Sequence, residues 1–145
     1  MKKTVAALLL MTVPALTGAA VLQDSATAGM STHTTKLILH AEGQHRLGKT
    51  DFAGTDKALS AATHDVVGFD AVTGHFNVKT KTVVIQAALA LKGGIILARV
   101  RSANNNPVFK GRIIGGTGAY SGITGTVTGR DEGHGKTLLT LHWML

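Results

Sequence analysis

The stretch Gly115-Gly116-Thr117-Gly118-Ala119-Tyr120-Ser121-Gly122-Ile123-Thr124-Gly125 decides the fold of this chain. Five of its eleven residues are glycine, and strand-like sequence lies on both sides of it. Glycine is favoured where the backbone takes a positive φ or where another segment packs close to the main chain. The stretch therefore predicts a tight connection between two β-strands, with Tyr120 packed over the turn.

Two nucleotide-binding motifs do not fit these glycines. A P-loop requires a lysine and a serine or threonine after its last glycine, and no lysine follows here. The dinucleotide fingerprint requires Gly-x-Gly-x-x-Gly, whereas Gly116, Gly118 and Gly122 are spaced one residue too widely. The segment that follows is β-branched and glycine-rich, with no helical period, so both kinds of site are excluded.

The rest of the chain shows short β-type segments separated by turn signals, and no segment sustains a helical period. The predicted strands lie at about 35–45, 65–71, 74–79, 82–91, 94–103, 108–114, 122–131 and 136–144. Turns are predicted at 70–74, 92–94, 104–107 and 131–135, and 48–64 is predicted as a long irregular loop. The pattern predicts an all-β protein, an eight-stranded antiparallel β-barrel.

The N-terminal 28 residues have the features of a secretory signal peptide. Lys2 and Lys3 precede a short apolar run, and Ala26-Thr27-Ala28 matches a cleavage site. The run is too short to span a bilayer, and the apolar segment 83–100 is interrupted by charged residues and glycines. We therefore expect a secreted protein without a membrane span, cleaved near Ala28, with 29–145 as a single barrel domain.

The charge balance favours anionic partners. The chain has 15 Lys and Arg against 8 Asp and Glu, a net charge of +7. The cations fall in i, i+2 pairs such as Lys79 and Lys81, which places both on one strand face, as on the solvated outside of a barrel. The few aromatic residues form no stacking array with these pairs, so a nucleic-acid-binding function is not predicted.

Cysteine and histidine usage limits the chemistry further. The chain has no cysteine, so no disulfide stabilises it. Its 7 histidines occur singly, without the paired spacing of metal ligands, and no metal site is predicted. The serine of Gly118-Ala119-Tyr120-Ser121-Gly122 stands one place too late for a nucleophile elbow.

The first strand carries the most distinctive polar residues. Strict alternation puts His40, Glu42 and Gln44 on one face. If that face points into an apolar lumen, burial would raise the pKa of Glu42 and suit it to general acid–base catalysis. If it points outward, with Leu37 and Leu39 lining the lumen, the same residues are solvated. The remaining candidate pocket residues, with His40, are Gln86, Tyr120 and His142.

The glycine-rich stretch, within 109–130, resembles the late hairpin of the allene oxide cyclase/dirigent family, in its run GGTG-x-aromatic-x-x-x-x-G. The resemblance extends as a pattern over about 35–145 and implies a calycin-type eight-stranded barrel with a pocket. Glu42-Gly43-Gln44 looks like the glutamate–asparagine pair of the cyclases, which makes Glu42 and Gln44 the candidate catalytic residues. The cyclase cysteine has no counterpart, and Ile123-Thr124 stand where the dirigent arginine is expected.

This resemblance implies a barrel that binds a small apolar or aromatic molecule and guides its cyclisation or coupling without a cofactor, as an isomerase. Confinement of a reactive molecule in one conformer would supply much of such catalysis. Two alternatives remain open, a non-catalytic exported carrier and a basic, wall-associated structural module. Apolar residues on both faces of several strands predict a homo-oligomer without giving the number of its subunits. The resemblance implies a small oligomer, a dimer or a trimer, because the plant members of the family are trimers.

Overall fold

The computed structural model describes residues 30–103 and 106–145, so the predicted signal peptide lies outside the described residues. The eight strands form one closed barrel in which each strand is antiparallel to its neighbours and β8 pairs with β1. Their bounds are β1 Thr32–Arg46, β2 Asp51–Ser60, β3 Val66–Asn77, β4 Thr82–Leu91, β5 Gly94–Ala103, β6 Val108–Gly116, β7 Thr124–Gly133 and β8 Lys136–Met144. The predicted eight-stranded antiparallel barrel is confirmed.

Two of the predicted strand positions are wrong. The stretch 48–64, predicted as a loop, contains all of β2, and the turn predicted at 70–74 lies inside the continuous strand β3. Small and polar residues in β2 hid the alternation, although Phe52, Gly54 and Asp56 all line the lumen. The segment 70–74 pairs with both β2 and β4, and this pairing outweighs its local turn preference.

The glycine-rich stretch 115–125, here called the cap, closes one end of the barrel. It connects β6 to β7 through a short 3-10 turn, Gly118–Tyr120, and packs across the β4–β5 hairpin. The Thr117 amide donates to the Ile95 carbonyl at 2.8 Å, and the Ala119 amide donates to the Gly93 carbonyl at 2.8 Å. Gly118 has φ +60, and a Cβ there would overlap the Gly93 carbonyl oxygen, so only glycine fits this contact.

The hydrophobic core lies against this closed end. Ile123 follows the 3-10 turn, is almost fully buried, and packs beneath the lumen with residues of every strand except β3. The buried members of the core are Leu37, Leu39, Ala58, Leu89, Ile96, Ala98, Val100, Ile113, Ile123, Val127, Leu139 and Leu141. Most of these residues also line the lumen, so the core forms both its floor and its apolar wall. Within 30–103 and 106–145, no helix is long and apolar enough to cross a membrane.

Candidate functional site: a carboxyl pair in the barrel lumen

The lumen contains a cavity of about 540 Å³. Its deep wall is apolar, with Leu39, Leu89 and Ile96 among the lining residues. The lining continues to Asn106, Pro107 and His134 in the β5–β6 and β7–β8 loops, so the mouth lies at the end opposite the glycine-rich cap. Small-molecule sites typically have this volume and this mostly apolar lining, and an eight-stranded barrel is just wide enough to hold one small ligand.

Two phenylalanines near the mouth lie flat against the wall instead of filling the lumen. Phe52 pairs across strands with Gly74, and Phe109 pairs with Gly129. In both pairs a Cβ on the glycine would overlap the phenyl ring, so each ring occupies the space that a side chain would take. The absence of a side chain at these glycines therefore keeps the cavity open.

Two carboxyl groups face each other in this apolar lumen. Asp56 of β2 and Asp70 of β3 are direct cross-strand partners, and both line the cavity. Side chains that are directly opposite in an antiparallel pair have Cβ atoms about 4.5–5.5 Å apart. Their outer neighbours in the ladder are Ala41 on β1 and Leu89 on β4, neither of which can offer the carboxyls a side-chain hydrogen bond.

Asp70 is the more buried member of the pair, with 4% of its surface exposed. Among the described residues its Oδ1 atom has no hydrogen-bond partner. Burial, with a smaller contribution from the charge of Asp56, raises the pKa of Asp70 to about 7, although the backbone amide of Ala71 opposes the change. Burial also raises the pKa of Asp56. At neutral pH the pair can therefore hold a proton and donate it to a bound molecule.

Glu42 lies on the outside of the barrel. A β-bulge between Ala41 and Gly43 makes Glu42 the extra residue of β1, and its carboxylate forms an ion pair with Lys57 Nζ at 2.8 Å. About half of the Glu42 side chain is exposed, so the burial that would suit it to acid–base chemistry is not present. The bulge also ends the strict alternation, because one added residue moves those after it to the other face.

Of the predicted site residues, Gln44 alone lines the cavity. It follows the bulge and pairs with Gly54 near the mouth. His40 and Gln86 are exposed on outward-facing positions, and His142 is exposed, with Nδ1 2.9 Å from Thr34 Oγ1. Tyr120 lies in the cap at the closed end, where its ring meets Trp143 edge-on at 6.0 Å, and its hydroxyl lies 3.4 Å from the Lys92 carbonyl oxygen. The predicted site residues therefore do not lie together in the structure.

The sequence offers little signal for the two aspartates. In β2, Phe52, Gly54, Asp56 and Ala58 share one strand face, but only Phe52 and Ala58 are apolar, so the apolar–polar alternation that indicates a half-buried strand is not present. Asp70 begins the segment 70–74, which the sequence predicts as a turn, so the sequence does not place it on a strand face. In the part of the chain that the structure covers, no three His, Asp or Glu side chains are grouped so that they could hold a metal ion.

No protein-family model and no curated protein matches the sequence. Solved structures do match the barrel. A pyocyanin demethylase shares 20% identity with a TM-score of 0.66, covering 77% of this chain and 99% of its own. A pterocarpan synthase dirigent protein shares 14% identity with a TM-score of 0.66, covering 96% of this chain and 97% of its own.

A third match is a nonspecific heme-binding cyclase that catalyses a 4 + 2 cycloaddition during neoabyssomicin biosynthesis. It shares 11% identity with a TM-score of 0.64, covering 80% of this chain and 67% of its own. At these identities the similarity establishes a shared fold only, because the chemistry of each barrel depends on its own side chains. The chain therefore has the barrel fold of the dirigent and cyclase proteins, as its glycine-rich stretch predicts.

Proposed function

We propose that the protein binds a small, mainly apolar molecule in the lumen and that the Asp56–Asp70 pair supplies the proton that guides its isomerisation. The observation that carries this proposal is the buried Asp70 Oδ1 atom, which lines an apolar cavity and has no hydrogen-bond partner among the described residues. A buried polar atom of this kind is costly to the fold unless a ligand satisfies it.

An intramolecular cyclisation balances without a co-reactant. The protonated carboxyl of Asp70 would donate its proton to a basic oxygen of the substrate, and the new ring bond would form as electrons move toward that oxygen. A proton released from the product would then return to the carboxylate, so the enzyme ends in its starting state. The apolar wall would hold the substrate in one conformer while this occurs. The cyclase and dirigent proteins among the matching folds make this chemistry a reasonable choice for such a lumen.

The alternative is a carrier that binds and releases its ligand unchanged. The hollow lumen alone would serve that function, whereas the buried Asp70 Oδ1 atom, which has no hydrogen-bond partner among the described residues, favours the catalytic one. We also propose that the protein is exported and that its first 28 residues are removed. N-terminal sequencing of the secreted protein would then begin at Gly29.

The test compares the small molecules that the wild type and the Asp70→Asn variant bind and release. Each protein is incubated with extracts of apolar and phenolic metabolites, and bound molecules are identified by native mass spectrometry and then chromatography. We expect native mass spectrometry to show the same bound mass on both proteins. Chromatography should show a second compound of that mass, an isomer, only after incubation with the wild type. The Asp65→Asn variant, which changes an exposed carboxyl, is the matched control and should convert like the wild type.

Identical retention times for the wild-type and Asp70→Asn samples, with no conversion by either, would show a carrier instead. A Glu42→Gln variant tests the earlier candidate directly. If it loses conversion while Asp70→Asn retains it, the acid lies outside the lumen and the assignment to Asp70 is wrong.

A further inference from the structure

One side of the barrel carries no acidic residue. From residue 71 to residue 130 the sequence contains eight Lys and Arg and no Asp or Glu. This segment supplies most of β3, all of β4, β5 and β6, and the first part of β7. The negative charges of the described chain therefore lie elsewhere, and this side of the barrel attracts anions over its whole extent.

Four of these cations form a compact group, here called the basic quartet: Arg99, Arg101, Lys110 and Arg112. Arg99 pairs across strands with Arg112, and Arg101 pairs with Lys110, so β5 and β6 bring the four side chains onto one patch of the outer face. All four are exposed, and none forms an ion pair with a carboxylate of the described residues. Like charges placed directly opposite each other destabilise a sheet, so the quartet is not explained by stability.

Exposed apolar side chains continue the same strands toward the cap. We call them the apolar edge: Phe69, Ile95, Leu97 and Ile114, with exposures of 56%, 37%, 37% and 53%. Phe69 and Ile95 are both cross-strand partners of Ala90, and Leu97 pairs with Gly115, next to Ile114. Along β5 the outward residues therefore change from two aliphatic side chains, at 95 and 97, to two arginines, at 99 and 101.

We propose that the basic quartet and the apolar edge together dock the protein on an anionic lipid bilayer. Membrane-surface binding combines apolar side chains at the acyl boundary with cations at the level of the headgroups, which is the order found along β5 and β6. A soluble polyanion would use the quartet but not the apolar edge. A second copy placed on the same face would bring two quartets together and be repelled.

The experiment measures co-sedimentation of the secreted protein, from which the first 28 residues have been removed, with vesicles of phosphatidylcholine, with and without about 30 mol % phosphatidylglycerol, at about 0.1 M salt. We expect binding only to the anionic vesicles. Arg99→Gln/Arg112→Gln should weaken it about 30-fold, since each cation near such a surface contributes about 1 kcal/mol. Leu97→Ser/Ile114→Ser should also weaken binding, by about fivefold or more. The control Lys49→Gln/Lys136→Gln removes two exposed cations from other parts of the barrel and should bind nearly like the wild type.

Thermal melting of each variant shows whether it remains folded. Equal binding to neutral and anionic vesicles, or no binding to either, overturns the proposal. Unchanged binding by Leu97→Ser/Ile114→Ser, with full competition by soluble dextran sulfate, identifies a polyanion as the partner instead. A dimer or trimer in sedimentation that dissociates in the same variant identifies a second copy.

Discussion

The Asp70→Asn variant is expected to unfold less readily than the wild type at pH 8, with a free energy of unfolding higher by about 4 kcal/mol at most. The reason is the burial of Asp70 among apolar neighbours and opposite Asp56, which raises its pKa to about 7. At pH 8 the folded wild type must hold a buried negative charge, and the asparagine variant does not.

The pH dependence follows from the same difference. In the unfolded chain an aspartate titrates at about pH 4, whereas in the folded barrel Asp70 titrates at about 7. Between these values the folded state binds the extra proton, so the stability of the wild type falls as the pH rises from about 4 to 7 and then levels off. The raised pKa of Asp56 acts in the same direction.

Urea denaturation of the two proteins at several pH values between 4 and 9 measures this effect. The free energies of unfolding should nearly coincide at pH 4 and diverge as the pH rises. In the control variant Asp65→Asn, which changes an exposed carboxyl, the free energy of unfolding should change with pH in the same way as in the wild type. Parallel curves for Asp70→Asn and the wild type would show that the Asp70 carboxyl is solvated and ionised at neutral pH.

A second large effect is expected from the glycines behind the phenyl rings. A methyl group at Gly129 would occupy the position of the Phe109 ring, and one at Gly74 would occupy that of the Phe52 ring. The double variant Gly74→Ala/Gly129→Ala should therefore push both rings into the lumen. Binding of N-phenyl-1-naphthylamine, a neutral aromatic probe that fluoresces in apolar sites, should weaken at least about tenfold, equivalent to about 1.4 kcal/mol.

A rescue variant distinguishes displacement of the ring from a general loss of structure. In Gly74→Ala/Phe52→Ala/Gly129→Ala/Phe109→Ala neither methyl group has a ring to displace, and probe affinity should return toward that of the wild type. Gly48→Ala adds a methyl group where nothing lies within 4 Å and should leave binding unchanged. Failure of the rescue, with each variant folded, would mean that the ring positions do not control the cavity.

The fold was predictable because its strongest signals are local. The Gly115–Gly125 stretch predicted the tight connection between β6 and β7, and the turn signals at 92–94 and 131–135 placed β4, β5 and β8 at their observed bounds. The strand β2 was missed because Gly54 and Asp56 have a low preference for strands by themselves. They form one because β1 and β3 pair with them on both sides.

The site was less predictable for a related reason. Asp56 and Asp70 are 14 positions apart and become neighbours only through the register of β2 and β3, and the local sequence predicts neither strand with its observed bounds. The bulge at Glu42 separates two residues that the sequence places on one face. The extra residue leaves Glu42 outside the barrel and turns Gln44 into the lumen. Register and bulges depend on tertiary pairing, and a simple alternation rule does not detect them.

The central claim is that the lumen is open and binds an apolar molecule, and fluorescence titration with N-phenyl-1-naphthylamine tests it most directly. Ala87 lines the cavity and Ala90 is exposed on the outer face of the same strand, so Ala87→Phe and Ala90→Phe add the same ring inside and outside. We predict saturable binding of about one probe per chain to the wild type and Ala90→Phe, and a loss of at least about tenfold in Ala87→Phe. Equal binding by all three proteins, or no saturable binding by the wild type, would contradict an open ligand-binding lumen.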